Sequence, residues 1–215
     1  MMKKILLILL LVVAVGLVGG LTLWKSTQSP NKTKTVPENQ LKRDLTPEIE
    51  EIVSKKTTLI TDLVKNQIII AEVKKSGEKD KNLSATEIAS LDQKWQKTEG
   101  MDDFIRAFLT NATAKELIKF QEENPEFTEI FVTNTKGLNV GQTNKTSDYL
   151  QGDEDWWINS YNQGKGKISH GEIEYDESSQ TESIAIYVPV IDLASKQAIG
   201  IIKAILDINV IKSEL

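Results

Sequence analysis

The chain begins with an uninterrupted apolar stretch. After Lys3 and Lys4, residues 5–24 carry no charge. Twenty residues at ~1.5 Å rise per residue form a helix of about 30 Å, which is the thickness of a bilayer's hydrocarbon core. Trp24 and Lys25 stand at the far end of the stretch, where an aromatic ring and a cation favour the membrane interface.

Residues 1–24 are therefore predicted to form a transmembrane anchor, with the lysine pair in the cytoplasm and the remainder of the chain outside. A cleaved secretory signal is the alternative, with a weak cleavage site at residues 14–16. The apolar stretch continues for eight residues past Gly16, which favours the anchor. No second apolar span follows, so a single-pass protein is expected.

A polar tether and a helix come next. Residues 25–45 lack periodicity and include two prolines, as expected of a linker. Thr46-Pro47-Glu48 combines an N-cap threonine, a proline at the first helical position and an acid in the first turn. Apolar residues then recur at a spacing near 3.6, at Ile49, Ile52, Val53, Leu59, Ile60, Leu63, Val64 and Ile68. With Gly77 as its stop, one long helix of about 30 residues is predicted.

Two further helical regions precede the strands. Ser84-x-x-Glu87 is a capping-box pattern, and that helix is predicted to end at Gly100. Residues 102–123 form a third helical region with a break near Asn111, and Thr113-x-x-Glu116 repeats the capping-box pattern.

From Pro125 the period of the apolar residues changes to two, which is typical of strands. Asn134 to Gly137 is predicted to be a turn, and Pro189 is expected at the end of an edge strand. The predicted strands are residues 127–134, a return strand from Leu138, and residues 165–175, 183–190 and 197–208.

This order of elements predicts an α+β fold with a five-stranded antiparallel sheet. One face of the sheet packs on the long helix. Residues 146–164, predicted as a loop and a short helix with Asp153 as its N-cap, cover the other face. The crevice between that segment and the sheet is the expected ligand site.

The composition excludes several classes of chemistry. Cysteine is absent, His170 is the one histidine, and two of the 26 basic residues are arginine in a chain of net charge −5. Disulfides, thiol catalysis, zinc sites with several imidazoles and nucleic-acid binding are excluded on these grounds. Hydrolase motifs such as G-x-S-x-G are also absent, so no enzyme, no cofactor and no metal site is expected.

Several segments, in this order, resemble a Cache domain, the PAS-like extracytoplasmic sensor domain of bacterial histidine kinases and chemoreceptors. After the long helix come EIFVTNTKG, SDYLQGDEDWW, ISHGEIEYDESS, SIAIYVPV and IGIIKAILDI. The resemblance covers residues 46 to about 210 and implies a single Cache domain in residues 46–215, with its pocket between the sheet and the tryptophan pair.

The resemblance also implies the ligand-binding residues. They are Trp156, Trp157, Tyr149, Tyr175, Asp176, Tyr187 and Asp207. Members of the family that bind amino acids have an arginine two residues before the first tryptophan, where Glu154 stands here. Because a carboxylate cannot hold another carboxylate, a cationic or neutral ligand is favoured.

Structural alternatives remain for these residues. Adjacent helix residues point about 100° apart, so one tryptophan is expected to line the pocket, while packing of both against the sheet is the alternative. Asp176 is either a ligand group or part of a solvated hairpin tip. Asp207 needs a partner if it points inward, because an unpaired buried charge is costly.

The sequence therefore predicts a single-pass protein of the bacterial cytoplasmic membrane with a periplasmic sensory domain that binds a small solute. It is expected to signal through a second copy of itself or a partner membrane protein. The alternative is a structural or assembly protein of the cell envelope that keeps the fold without a ligand.

Overall fold

The computed structural model describes residues 45–176 and 181–213. The helices are α1 Pro47–Leu63, α2 Gln67–Asp80, α3 Ala85–Lys97, α4 Asp103–Thr110, α5 Ala112–Glu123, α6 Asp155–Tyr161 and α7 Ile208–Lys212. The strands are β1 Phe127–Thr133, β2 Asn139–Gln142, β3 Ser169–His170, β4 Glu174–Asp176, β5 Thr181–Ile191 and β6 Ala198–Asp207. The predicted α+β class is confirmed.

The predicted long helix is wrong in one respect, because it is two helices. Thr46 caps α1 through its hydroxyl and Pro47 is its first residue, as predicted. The helix stops after Leu63, and the Asn66 side chain caps α2 by accepting a hydrogen bond from the Ile68 amide. The apolar period continues across the break and therefore does not reveal it. The break is marked instead by Asn66, the N-cap residue with which α2 begins. Gly77 lies inside α2 rather than at its end.

The shorter helices follow their caps. Ser84 and Glu87 form the predicted capping box at the start of α3, and the predicted break at Asn111 is confirmed. Asn111 itself caps α5 through the Ala114 amide, at 2.8 Å. The second predicted capping box, at Thr113, is therefore wrong, because the helix has already begun there.

The strands form one antiparallel sheet in the order β2-β1-β6-β5-β3, with β4 also paired to β5. Among the described residues the sheet has six strands rather than the predicted five. The predicted strand 165–175 is divided, since His170 lies opposite Ile186 whereas Glu174 lies opposite Ser183. His170 and Glu174 are four positions apart, whereas their partners on β5 are three positions apart. An extra residue between β3 and β4 therefore interrupts the pairing.

The β1–β2 connection is the predicted turn. The Gly137 amide donates to the Asn134 carbonyl at 2.9 Å, and Gly137 has φ +72°. A side chain at Gly137 would lie 2.2 Å from the Gly152 Cα. Only glycine fits, because both the backbone conformation and the close approach exclude a Cβ.

Strand β5 lies between β6 and β3, so the strand that contains Pro189 is not an edge strand over its whole length. The pairing with β3 ends at Tyr187, and Pro189 lies beyond it, opposite Ile201 of β6. The outer side of β5 is therefore unpaired at the proline, which is where a residue without an amide hydrogen is tolerated.

The main core lies between one face of the sheet and helices α1, α2, α5 and α7. The alternating residues predicted to share one face of β5 are all buried there: Ile184, Ile186, Val188 and Val190. A second cluster, around Trp95, joins α3 and α4 to the β1–β2 turn region. A third cluster lies on the opposite face of the sheet, beneath α6, as predicted.

None of the helices in the described part of the chain is long and apolar enough to cross a membrane. The predicted anchor, residues 1–24, and the linker up to residue 44 lie outside the described residues.

Candidate ligand-binding site beneath helix α6

Three strands place a row of side chains on the sheet face beneath α6. Lys203 of β6 lies opposite Phe131 of β1 on one side and opposite Tyr187 of β5 on the other. Residues directly opposite each other in antiparallel strands point to the same face. The sheet therefore presents an aromatic ring, an amine and a second aromatic ring side by side.

Trp156 of α6 covers this row. Its ring stacks on Tyr187, with centroids 5.0 Å apart and planes at 13°, and meets Phe131 edge-on at 6.0 Å. Phe131 and Tyr187 are buried, whereas Trp156 is half-buried. Aromatic contacts of both kinds are favourable, and the three rings form one wall with an accessible side.

The Lys203 ammonium group lies against these rings. Its Nζ is 4.8 Å from the Trp156 centroid and 5.8 Å from the Phe131 centroid, within the range of cation–π attraction. Within residues 45–176 and 181–213, Nζ has no hydrogen bond and no carboxylate within ion-pair distance. Burial lowers the pKa of Lys203, and the charges of Glu129, Glu174 and Glu154 oppose that shift.

These three carboxylates come from separate elements. Glu129 lies on β1, Glu154 precedes α6 and Glu174 lies on β4. Burial raises the pKa of half-buried Glu129, and the Lys203 charge opposes the rise. Burial also raises the pKa of Tyr187 to about 12, and the charges of Glu174 and Glu154 add to that rise. Glu129 is half-buried, whereas Glu154 and Glu174 are exposed, and the charges of all three act on the one Lys203 amine. We call these seven residues the Lys203 site: Glu129, Phe131, Glu154, Trp156, Glu174, Tyr187 and Lys203.

Trp157 has a packing role. Its Nε1 donates to the Thr133 hydroxyl at 2.9 Å, and its ring stacks on Tyr161 at 4.5 Å and 17°. With 7% of its surface exposed, Trp157 holds α6 onto the sheet. Of the two adjacent tryptophans, Trp156 is the one beside the Lys203 amine.

Helix α6 begins one residue later than predicted. Glu154 is in the N-cap position and its side chain makes no capping hydrogen bond, so Asp153 is not the cap. The Glu154 carboxylate instead lies close enough to influence the pKa values of Tyr187 and Lys203.

Tyr149 and Tyr175 are not members of the Lys203 site. Tyr149 packs in the second cluster against Trp95, Phe104 and Phe108, and burial, followed by the Asp80 charge, raises its pKa. Tyr175 is 40% exposed on β4, where Asp176 is the last residue; the Asp176 side chain lies outside the described part.

Asp207 has a structural partner. Its carboxylate caps α7 by accepting a hydrogen bond from the Asn209 amide at 2.7 Å. The half-buried Asp207 carboxylate therefore has the N-terminus of α7 as its partner. Of the seven predicted residues, the structure brings Trp156 and Tyr187 together, with Trp157 beside them.

Sequence reasoning missed Lys203, Glu129, Glu174 and Phe131 as members of the site. A signal existed for Lys203, because it interrupts an otherwise apolar strand, residues 198–206. No group of three or more histidine, aspartate or glutamate residues that could hold a metal ion occurs within the described ranges.

No protein-family model matches the sequence, and no curated protein matches it. Solved structures do match. One is the ligand-binding domain of a Campylobacter jejuni chemoreceptor in complex with L-norvaline, with 13% identity over 77% of this chain and 55% of that chain, at a TM-score of 0.45. Another is the extracellular domain designated vpHK1S-Z8, with 13% identity over 77% of this chain and 55% of that chain, at a TM-score of 0.48.

A third match is the ligand-binding domain of a Pseudomonas aeruginosa amino-acid chemoreceptor in complex with L-Arg. It is 12% identical over 76% of this chain and 53% of that chain, with a TM-score of 0.40. This chain spans about half the length of these structures. Sensory ligand-binding domains are the class that the resemblance in the sequence indicates, but at these identities and TM-scores the likeness assigns no ligand to this chain.

Proposed function

We propose that the domain following the linker is the ligand-binding part of a membrane-anchored, extracytoplasmic sensory protein. Its ligand is a small solute with a cationic or neutral polar group, and the Lys203 site beneath α6 binds it. The protein signals through a partner, which is a second copy of the chain or another membrane protein.

The observation that carries this proposal is that three carboxylates act on one amine that lies against the half-buried Trp156 ring. Burial makes an unpaired charge costly, and of the three carboxylates Glu129 is the half-buried one. A cationic ligand beside Trp156 is attracted by the carboxylates of Glu129, Glu154 and Glu174. The same cation gains attraction from the Trp156 ring, which is worth ~0.5–2 kcal/mol depending on desolvation.

Lys203 determines how such a ligand binds. Its ammonium group already contacts the Trp156 ring, so it competes with a cationic ligand for both the ring and the carboxylates. Methionine at this position has an unbranched side chain of similar length and lacks the competing charge. K203M is therefore expected to bind cationic ligands more tightly than the native protein.

A thermal-shift screen with polyamines, quaternary amines, amino acids and organic acids tests the proposal. Ligand at 100 times its dissociation constant adds ~2.7 kcal/mol to stability, which such a screen resolves. An amine whose shift grows in K203M and disappears in W156A supports the Lys203 site. The matched control is K119M, because Lys119 is an exposed lysine on α5.

Other outcomes contradict the proposal. If organic acids alone give shifts, and K203M abolishes them, the site binds anions and the charge argument is wrong. If an amine shift is the same in W156A and K203M as in the native protein, the ligand binds elsewhere.

One observation favours the alternative function, a structural or assembly protein of the cell envelope without a ligand. The Lys203 amine lies over the aromatic ring that a cationic ligand would use, so the chain fills part of the site itself. The absence of a shift with every ligand class, in both the native protein and K203M, would support this alternative.

A further inference from the structure

A cavity of about 440 Å³ lies at one corner of the domain, away from the Lys203 site. It is bordered by the α1–α2 break, the end of β5 and the loop before β3. We call it the corner cavity. Its volume is within the ~300–1,000 Å³ typical of small-molecule sites.

The cavity lies where α1 ends and where β5 loses its outer partner. The outer side of β5 is unpaired beyond Tyr187, and the helix stops after Leu63. Val64 and Ile70 line the helical wall, and Val188 and Ile191 line the strand wall. These walls are apolar, so water inside the cavity is replaced favourably by a hydrocarbon chain.

Large apolar side chains extend the cavity to its mouth. Ile168 and Leu193 line it and are 48% and 60% exposed. An occupant that covers them removes apolar surface from water, which adds to its affinity.

Among the described residues that line the cavity, Lys65 is the only charged one. Its ammonium group pairs with Asp62 at 2.7 Å, but the two side chains are 68% and 66% exposed. Such exposed pairs contribute little, so Lys65 is readily available to an incoming anion. The other polar lining side chains, Thr61 and Gln67, already donate hydrogen bonds to carbonyls of this chain.

We infer that the corner cavity binds a free aliphatic carboxylate, with the alkyl chain between the helical and strand walls and the carboxylate on Lys65. The positive charge of Lys65 favours an anionic head group, and the apolar walls favour a hydrocarbon chain. This second site takes an anionic ligand, whereas the Lys203 site is proposed to take a cationic or neutral one.

Calorimetric titration of the purified protein with hexanoate, octanoate and decanoate, each below its micellar concentration, tests the inference. Affinity should rise about 4-fold per added methylene, because each buried methylene contributes about 0.8 kcal/mol. The rise should stop when the chain fills the cavity.

Variants separate the head group from the tail. K65M should weaken octanoate binding by up to about 5-fold and leave binding of octanol unchanged. L193S, at the exposed mouth, should weaken both probes. K119M is the matched control for Lys65 and should bind octanoate as the native protein does.

The titration would overturn the inference if it showed no saturable binding, an affinity that does not change with chain length, or tighter binding of octylamine than of octanoate. Loss of octanoate binding in W156A would also overturn it, because that variant alters the Lys203 site alone. A dimer that L193S dissociates would show a second copy of the chain to be the occupant. Failure of these tests leaves the amine screen unaffected, so the two proposals fail separately.

Discussion

At the residue scale, Thr133 connects α6 to the sheet. Its buried hydroxyl accepts a hydrogen bond from Trp157 Nε1 at 2.9 Å. It also accepts from the Ile201 amide and donates to the Ile201 carbonyl, both at 3.2 Å. The Thr133 hydroxyl thus accepts the hydrogen bond of the Trp157 indole N–H, which would otherwise be buried without a partner.

We therefore expect T133V to lower the free energy of unfolding by about 1–3 kcal/mol, because valine keeps the shape and leaves buried polar groups without partners. Urea unfolding measures the change. T128V is the matched control on the same strand, since Thr128 is exposed, and should change stability by less than about 0.5 kcal/mol. Equal losses in the two variants would contradict the role of Thr133.

Glu129 gives the Lys203 site a dependence on pH. Burial raises its pKa above the ordinary value of 4.5, so the folded state holds its proton at a pH where the unfolded state has lost it. The stability that this group contributes is fully present below pH 4.5 and is lost as pH rises through the raised pKa.

The amide in E129Q does not titrate, so this variant lacks the loss of stability that Glu129 causes in the native protein. The free energy of unfolding of E129Q, minus that of the native protein, should therefore increase as pH rises from 4 to 7. Denaturant unfolding of both proteins at each pH measures this difference, and titration of the other groups cancels in it. E122Q, which changes an exposed glutamate on α5, should show no such trend. A difference that is constant with pH in E129Q would contradict the burial of the charge.

At the element scale, the break between α1 and α2 depends on Asn66. Its side chain accepts from the Ile68 amide at 2.8 Å and donates to Glu116 of α5 at 2.8 Å. One residue thus starts a helix and connects it to a neighbour.

N66A should cost about 0.5–2 kcal/mol for the lost cap, as measured by urea unfolding. E116A removes the link to α5 and leaves the cap, so it should cost less. If E116A costs as much as N66A, the connection between helices, and not the cap, defines the break.

Much of the element order follows from local patterns. The caps at Thr46 and Ser84, the turn at Gly137 and the alternation along β5 depend on neighbouring residues, and they are confirmed. The break at Asn66 was missed because the apolar spacing continues through it. An asparagine followed by apolar residues was the available signal, but it competes with an unbroken helical period.

The candidate site was less accessible to sequence reasoning. Trp156 and Trp157 are adjacent, and their different surroundings depend on how α6 packs. Lys203, Phe131 and Tyr187 meet because of the register of three strands, which long-range pairing determines. Tyr149 was expected near the tryptophan pair, and it packs instead with Trp95 because α3 and α4 form a cluster of their own.

At the scale of the whole molecule, the two proposed sites have different surroundings within one domain. The Lys203 site is on the sheet face beneath α6, and the corner cavity is bordered by the α1–α2 break. We propose that the N-terminal apolar stretch anchors this domain outside the cytoplasmic membrane.

That placement predicts that protease added to intact spheroplasts degrades the domain, because it faces the medium. A cytoplasmic protein in the same spheroplasts should survive, which controls for lysis. If the domain is spared while a known periplasmic domain is cut, the proposed orientation is wrong.

Mapping amide chemical shifts by NMR during titration with the best amine from the screen tests the ligand site most directly. We predict that the largest changes fall on residues 154–157 and on the strand segments around Glu129, Tyr187 and Lys203, and that W156A removes them. Saturable changes confined to other parts of the domain, with these amides unmoved, would contradict the Lys203 site as the place where the ligand binds.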